Sequence, residues 1–228
     1  MANSEIIGAG QDTARPAPED IRTMCYADPP YIGQARRHYG KHRDYAGEVD
    51  HKKLIEYLCQ TYPDGWALSL SASSLKQILE MCPDSVRVMA WVKPWSSYIP
   101  SIRLQYGWEP VILSGGRQPK PEKGDKKIVD WLSASPKDCL WKKRPDGHVI
   151  GQKPMEFCYW IFKCLGLQSQ DTLVDMFPGS GAVRKHWESW KKERIHALRS
   201  PAQDTMETCH TAPNSASTQI VQMELNLL

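Results

Sequence analysis

Two short stretches of this chain combine residue types that could do chemistry. Asp28-Pro29-Pro30-Tyr31 follows the apolar run Met24-Cys25-Tyr26-Ala27, and Phe177-Pro178-Gly179-Ser180-Gly181 follows Leu173-Val174-Asp175-Met176. In the first, the prolines remove two N–H donors and fix φ, so a strand must stop there. What remains is a stiff corner with a carboxylate, a fixed carbonyl and an aromatic ring. In the second, a buried strand runs into a tight glycine turn and a helix start, which lets backbone N–H groups approach a bound cofactor closely. It is not a Walker loop, because no G-K-[ST] follows. It is also a poor dinucleotide fingerprint, because Arg184 stands where the third glycine should be. Each stretch alone has a bland reading: Asp28 as a turn cap, Tyr31 as a core residue, the glycines as a connector. In an open parallel sheet, however, ligands bind outside the carboxyl ends of the strands. Both stretches sit at such ends and could face one crevice.

The elements that must position them follow from periodicity. Residues 21–27 read as a strand, followed by the loop Ile32–Val49. Asp50 caps a helix over "HKKLIEYLCQTY", with Leu54, Tyr57 and Leu58 on one face and "PDG" as its stop. "WALSLSA" and "SVRVMAWV" read as strands on either side of a Ser-capped helix "SSLKQILEMC", and "GWEPVILSGG" as a further strand closed by glycines. From Arg117 to Gly151 the pattern fails except at "IVDWL", and a loop this long inside a domain is usually functional or disordered. "KPMEFCYWIFKCLG" is an apolar helix whose aromatics belong to the core, "DTLVDMFPGSG" the strand and glycine turn, "AVRKHWESWKKE" a helix, and "RIHAL" a final core strand. Strands alternating with helices specify an α/β fold with a mostly parallel twisted sheet and helices on both faces.

Composition sets the frame. The chain has 228 residues, 41% of them hydrophobic and nine of them Trp, enough for one substantial core. The seven cysteines include no C-x-x-C pair, which suggests neither a disulfide framework nor a zinc site and fits a reducing cytoplasm. Residues 1–20 lack a signal-peptide pattern, and the apolar segment "FCYWIF" stops at Lys163, too short to span a membrane. Charge is segregated. Residues 1–20 carry Arg15 against Glu5, Asp12, Glu19 and Asp20, and residues 200–228 carry Asp204, Glu207 and Glu224 with no Lys or Arg. With a net formal charge of +3 overall, residues 21–199 hold +9, which suits a polyanionic partner or a merely solubilising surface. The expected organisation is a flexible segment 1–20, a domain over 21–199 and a tail over 200–228 too polar to pack.

The pair of motifs resembles the nucleic-acid amino-methyltransferases that use S-adenosylmethionine. In that family D-P-P-Y is the catalytic motif and F-x-G-x-G the cofactor motif, matched here by Asp28, Pro29, Pro30 and Tyr31 and by Phe177, Pro178, Gly179, Ser180 and Gly181. The catalytic motif stands first, as in the permuted β class, and "GQKP" at Gly151–Pro154 matches the Q-K-P segment of that class. The resemblance covers roughly residues 21–198 and implies a Rossmann-like methyltransferase fold with circularly permuted motif order. It implies methyl transfer to the N6 amine of a flipped adenine in DNA, by an enzyme of restriction-modification or phage type. N4-cytosine and RNA N6-adenine are the alternative targets.

Under this resemblance Asp28 accepts one N–H of the amine and the Pro29 carbonyl the other, which aligns the lone pair toward the methyl group. Tyr31 offers a face for the extruded base. Cofactor contacts fall on Ala27, Asp28, Lys153, Pro154, Asp175, Phe177, Pro178, Gly179, Ser180 and Gly181, and no metal is called for. DNA-backbone contacts fall on Arg36, Arg37, Lys41, Arg43, Lys142, Lys143 and Arg144, the last three within 117–150, the candidate target-recognition loop. A short recognition sequence or low specificity follows from the small size, and a homodimer would widen the footprint.

One position departs from the family. An acid that holds the ribose hydroxyls is expected at the end of the strand after the cofactor helix, where Leu198 stands. Either Glu193 or another group substitutes, or cofactor affinity is low, or the chain is a decayed nucleic-acid-binding relative. The chain stops soon after this strand, leaving the sheet short of one usual strand. Its ending, "QIVQMELNLL", reads as a strand added to the sheet. A second reading takes Gln222, Leu225 and Leu227 as a peptide resembling those that dock on the bacterial sliding clamp.

Overall fold

The computed structural model describes residues 20–33, 47–94, 99–118, 127–136 and 152–199. They form six strands, β1 (Thr23–Ala27), β2 (Gly65–Ser69), β3 (Arg87–Val92), β4 (Trp108–Gly115), β5 (Trp131–Ser133) and β6 (Thr172–Asp175). Four α-helices accompany them: α1 (His51–Thr61), α2 (Leu75–Leu79), α3 (Met155–Leu165) and α4 (Ala182–Arg199). The strands make one sheet in the order β5-β3-β4-β2-β1-β6. β1 pairs parallel with both β2 and β6, and β3 with β5, whereas β4 runs antiparallel to β2 and β3. The reversal puts the start of β4, at Trp108 and Glu109, beside the end of β3 at Trp91 and Val92.

Period-two burial on both faces divides the core. Met24 and Tyr26 of β1, Ala67 of β2 and Met89 and Trp91 of β3 face the side covered by α3 and α4. Cys25, Ala27, Trp66 and Leu68 face the side covered by α1 through Leu54, Ile55 and Leu58. Complete burial of such aliphatic side chains contributes about 1.5–3 kcal/mol each. The Asp50 carboxylate caps α1, accepting from the backbone N–H groups of Lys52 and Lys53 at 3.1 and 3.2 Å. α3 stops at Gly166, whose φ of +67° is left-handed and whose missing side chain leaves room for the Arg117 carbonyl.

Two expectations need correction. The final strand "RIHAL" does not form, because Arg194–Leu198 continue α4. Neither Gly nor Pro interrupts the helix there, Val183, Trp187 and Trp190 keep one apolar face buried, and the Arg194 guanidinium lies 4.9 Å from the Trp190 ring centre. The Ser-capped helix is shorter than expected. A 3-10 turn, Ala72–Ser74, precedes α2, and the Ser71 and Ser74 hydroxyls bond each other at 2.9 Å instead of capping the helix. Within the 117–150 interval, the exception at "IVDWL" joins the edge of the sheet, where Ala134 reaches the core. β5 lies at "IVDWL", and indole N–H groups of Trp160 and Trp91 bind the carbonyls of Val129 and Ala134, both at 3.0 Å. At its start, the Arg117 guanidinium grips the fully buried Asp171 carboxylate at 2.5 and 3.1 Å. No described helix is long and apolar enough to cross a membrane.

Candidate active site

The site is built where β1 and β6 end side by side. Tyr26 is in register with Asp175, and the Met176 N–H donates to the Tyr26 carbonyl at 3.0 Å, so the Asp28 and Phe177 segments leave the sheet in step. After β1 the chain proceeds to α1 on one face, and after β6 to α4 on the other. Two adjacent parallel strands whose connections diverge in this way open a crevice at their carboxyl ends. The prolines enforce the first exit: Pro29 is buried and neither proline can donate to a further ladder bond.

On the β1 side the carboxylate of Asp28 forms an ion pair with the Lys153 ammonium at 3.0 Å. Lys153, only 6% exposed, stands just before α3, and its ammonium lies 5.6 and 5.8 Å from the ring centres of Trp91 and Phe157. A second carboxylate, Glu109 of β4, lies 3.9 Å from the same ammonium and is itself paired with Lys93. Its Oε2 also accepts the Tyr31 hydroxyl at 3.1 Å. The reversed direction of β4 puts Glu109 at this edge of the sheet, opposite Trp91.

The electrostatics follow from burial and pairing. Burial raises the Asp28 carboxyl above the usual carboxylate range, and Lys153 opposes this only in part. For Glu109 burial acts the same way but is outweighed by Lys153 and Lys93, which hold it below its usual value. Burial works against the Lys153 ammonium, yet the surrounding acids, Asp28 first, keep it firmly protonated. The cluster thus alternates in sign: Asp28, Lys153, Glu109, Lys93.

On the β6 side both oxygens of Asp175 are buried without a hydrogen-bond partner among the described residues. Burial pushes this carboxyl up to about 7, and repulsion from Asp28 adds to the rise. The nearby Phe177 N–H offsets part of it without completing a hydrogen bond. An orphaned buried acid is costly, and such a group calls for a cationic or hydrogen-bonding visitor. Beyond it, Gly179 and Gly181 have φ of +48° and +72°, and the Gly181 N–H donates to the Pro178 carbonyl at 2.6 Å. A Cβ at Gly181 would meet nothing within 4 Å, and one at Gly179 only the Phe177 carbonyl at 3.9 Å. The turn therefore presents bare backbone to open space.

Most of the expected residues come together. Ala27, Asp28, Pro29, Pro30 and Tyr31 leave β1, while Asp175, Phe177, Pro178, Gly179, Ser180 and Gly181 leave the adjacent β6. Lys153 reaches Asp28, and Pro154 is the N-cap of α3. Gly151 and the basic residues Arg36, Arg37, Lys41, Arg43, Lys142, Lys143 and Arg144 lie outside the described residues, as do Gln222, Leu225 and Leu227. Leu198 lies within α4, and no strand follows it among the described residues. Glu193 does not stand in for the missing acid. It accepts the Tyr159 hydroxyl at 2.7 Å, and α4 carries it about 18 Å along the axis from the glycine turn. Sequence reasoning missed Glu109 and Lys93; the available signal was a lone acid inside the apolar strand "WEPVIL".

No protein-family model and no curated protein matches the chain. Solved structures do. The crystal structure of the M1.HpyAVI-SAM complex is 14% identical, with a TM-score of 0.50 over 78% of this chain and 87% of that one. The crystal structure of M1.HpyAVI is 15% identical, with a TM-score of 0.46 over 75% of this chain and 78% of that one. At such identity the first likeness speaks of architecture: the chain has a Rossmann-like methyltransferase fold.

Proposed function

We propose that this chain transfers a methyl group from S-adenosylmethionine to the exocyclic N6 amine of a flipped adenine in DNA. One observation carries the reading: the Asp28 corner and the Asp175-glycine turn leave adjacent parallel strands in step, at the carboxyl ends where open sheets of this kind bind ligands. The fold supports it, as does the SAM bound in the first similar structure. S-adenosylmethionine supplies a methyl group made electrophilic by its sulfonium sulfur.

The residues present suit that cofactor and that amine. The unpartnered Asp175 carboxylate matches a cationic ligand, and the bare turn at Gly179–Gly181 lets backbone approach it closely. Lys153 and Pro154, at the start of α3, complete the wall beside Asp28. An adenine amine is a poor nucleophile because its lone pair is conjugated with the ring. Asp28 and the Pro29 carbonyl, each accepting one N–H, localise that lone pair and stabilise the charge that grows on nitrogen. As nitrogen gains the methyl carbon and the carbon–sulfur bond breaks to leave a neutral thioether, nitrogen would carry a surplus proton, which the Asp28 carboxylate, its proton affinity raised by burial, can take. Tyr31, held by Glu109, offers its ring to the extruded base. Stacking contributes about 1–3 kcal/mol against an unstacking cost of a few kcal/mol. Backbone contacts must supply the remainder, the role assigned to Arg36, Arg37, Lys41, Arg43, Lys142, Lys143 and Arg144.

Incubation with methyl-labelled cofactor and DNA, followed by nucleoside separation, tests the reading. Label in N6-methyl-2′-deoxyadenosine that disappears with Asp28→Ala is expected. Label in N4-methyl-2′-deoxycytidine, or in RNA alone, would move the target to the alternatives.

The course of α4 through Leu198 favours one second reading, a nucleic-acid-binding relative with little cofactor affinity. Calorimetry with S-adenosylmethionine separates the two. Binding that is lost in Gly179→Asp excludes the second.

A further inference from the structure

Glu109 belongs to neither motif, yet it touches three members of the site. Its carboxylate accepts the Tyr31 hydroxyl at 3.1 Å, pairs with Lys93 and lies 3.9 Å from the Lys153 ammonium. That ammonium is 3.0 Å from Asp28, the group that must accept an N–H of the substrate amine. An ammonium held by Asp28 alone would compete with the substrate amine for that carboxylate. A buried cation also cannot simply be released, because burying it unpaired is very costly. It needs a second carboxylate within reach, and Glu109 is the one the fold supplies.

We propose that Glu109 is a positioning residue that shares Lys153 with Asp28, taking the ammonium when the target amine engages Asp28, and that fixes the Tyr31 ring through its hydroxyl. The proposal rests on the methyl-transfer reading above. Lys93 completes the device, since a Glu109 lacking it would draw Lys153 away from Asp28 permanently. The geometry provides the travel: Lys153 Nζ stands 3.0 Å from one acid and 3.9 Å from the other, with the Trp91 and Phe157 rings beneath it.

The charged groups facing Asp28 are Lys153 from the start of α3, Glu109 from β4, Lys93 from the end of β3 and Asp175 from the end of β6, with the Tyr26 and Tyr31 hydroxyls between them. Removing the Glu109 charge takes a like charge away from Asp28 and leaves Lys153 wholly to it. Both changes favour the Asp28 carboxylate. Removing the Lys93 charge acts in the opposite sense.

The test titrates the Asp28 side-chain carbon by NMR in the full chain, without ligand, for wild type, Glu109→Gln and Lys93→Met. Asp28→Asn assigns the resonance. The expected result is a midpoint lowered by about half a unit or more in Glu109→Gln and raised in Lys93→Met. Methylation assays on the same proteins should show the acid limb of kcat/KM moving with the midpoint, and kcat lowered roughly tenfold or more in Glu109→Gln. A Glu109 that acts on Asp28 only as a nearby charge would move the midpoint and leave kcat unchanged, an outcome that also overturns the proposal. An unmoved Asp28 midpoint in Glu109→Gln overturns the proposal. If that variant does not fold, an unmoved midpoint in Lys93→Met does so. Wild type that methylates nothing at any pH removes the methyl-transfer reading and leaves the midpoints to decide this one.

Discussion

The Asp28 carboxylate and the Lys153 ammonium, far apart in the chain, meet at 3.0 Å where β1 ends and α3 begins. Lys153 is nearly inaccessible, so its ammonium is held away from water beside Asp28. Deleting one partner would leave an uncompensated charge in a buried place. Lys153→Met should therefore raise the Asp28 midpoint and slow methylation at neutral pH, with activity recovering as pH rises. A pH profile of kcat/KM checks this.

Asp175 gives a second pH signature. With its carboxyl at about 7, a cationic cofactor must compete with a proton below that value. S-adenosylmethionine should bind about tenfold more weakly at pH 6 than at pH 8, and Asp175→Asn should be weak and nearly flat across this range. Stability should show the complementary trend. The folded value lies above the unfolded value of about 4, so the favourable contribution is complete below about pH 4 and is lost as pH rises through 7. At pH 8 Asp175→Asn should be the more stable protein, and the two should converge at low pH in thermal melts.

Arg117 and Asp171 anchor the opposite end of the sheet. The Asp171 carboxylate also accepts the Arg22 and Gln168 backbone N–H groups at 2.9 and 2.7 Å. Against the upward push of burial, Arg117 and these two N–H groups hold it below the usual carboxylate range. Its contribution is thus present above the unfolded value of about 4 and fades as pH falls through the lower folded value. Asp171→Ala should cost about 3–5 kcal/mol in urea unfolding at pH 7, and less near pH 3.

Tyr31 separates stacking from anchoring. Tyr31→Phe keeps the stacking face and loses the bond to Glu109 that fixes the ring, so DNA KM should change little while kcat falls. Tyr31→Ala removes the stacking face as well, and a loss of about 1–3 kcal/mol corresponds to a rise of roughly 5- to 150-fold in KM. Steady-state kinetics on a short duplex distinguishes them.

How much of this was legible in the chain depends on how local each cause is. The Asp50 cap, the Gly166 stop and the proline corner at Asp28 are decided within a few residues and were readable directly. The fold class followed from the alternation of strands and helices, and the crevice from two motifs at strand ends. The reversed direction of β4 was not readable, because a strand buried on both faces through Pro110–Leu113 would look the same in a parallel pairing. Glu109 was hidden for that reason, since only the reversal puts it beside Tyr31 and Lys153. The final strand was misread because "RIHAL" carries apolar residues that a helix uses as well, and the deciding support comes from Trp187 and Trp190 packed against α3 and from Arg194 over Trp190.

The central claim is that the Asp28 corner and the Asp175-glycine turn form one methyl-transfer site acting on adenine in DNA. Nucleoside mass spectrometry of DNA from an unmethylated host expressing the full chain tests it most directly. The account predicts N6-methyl-2′-deoxyadenosine with wild type and none with Asp28→Ala or Gly179→Asp at equal protein levels. N6-methyl-2′-deoxyadenosine that persists undiminished in Asp28→Ala, or is absent with well-folded wild type, would contradict it.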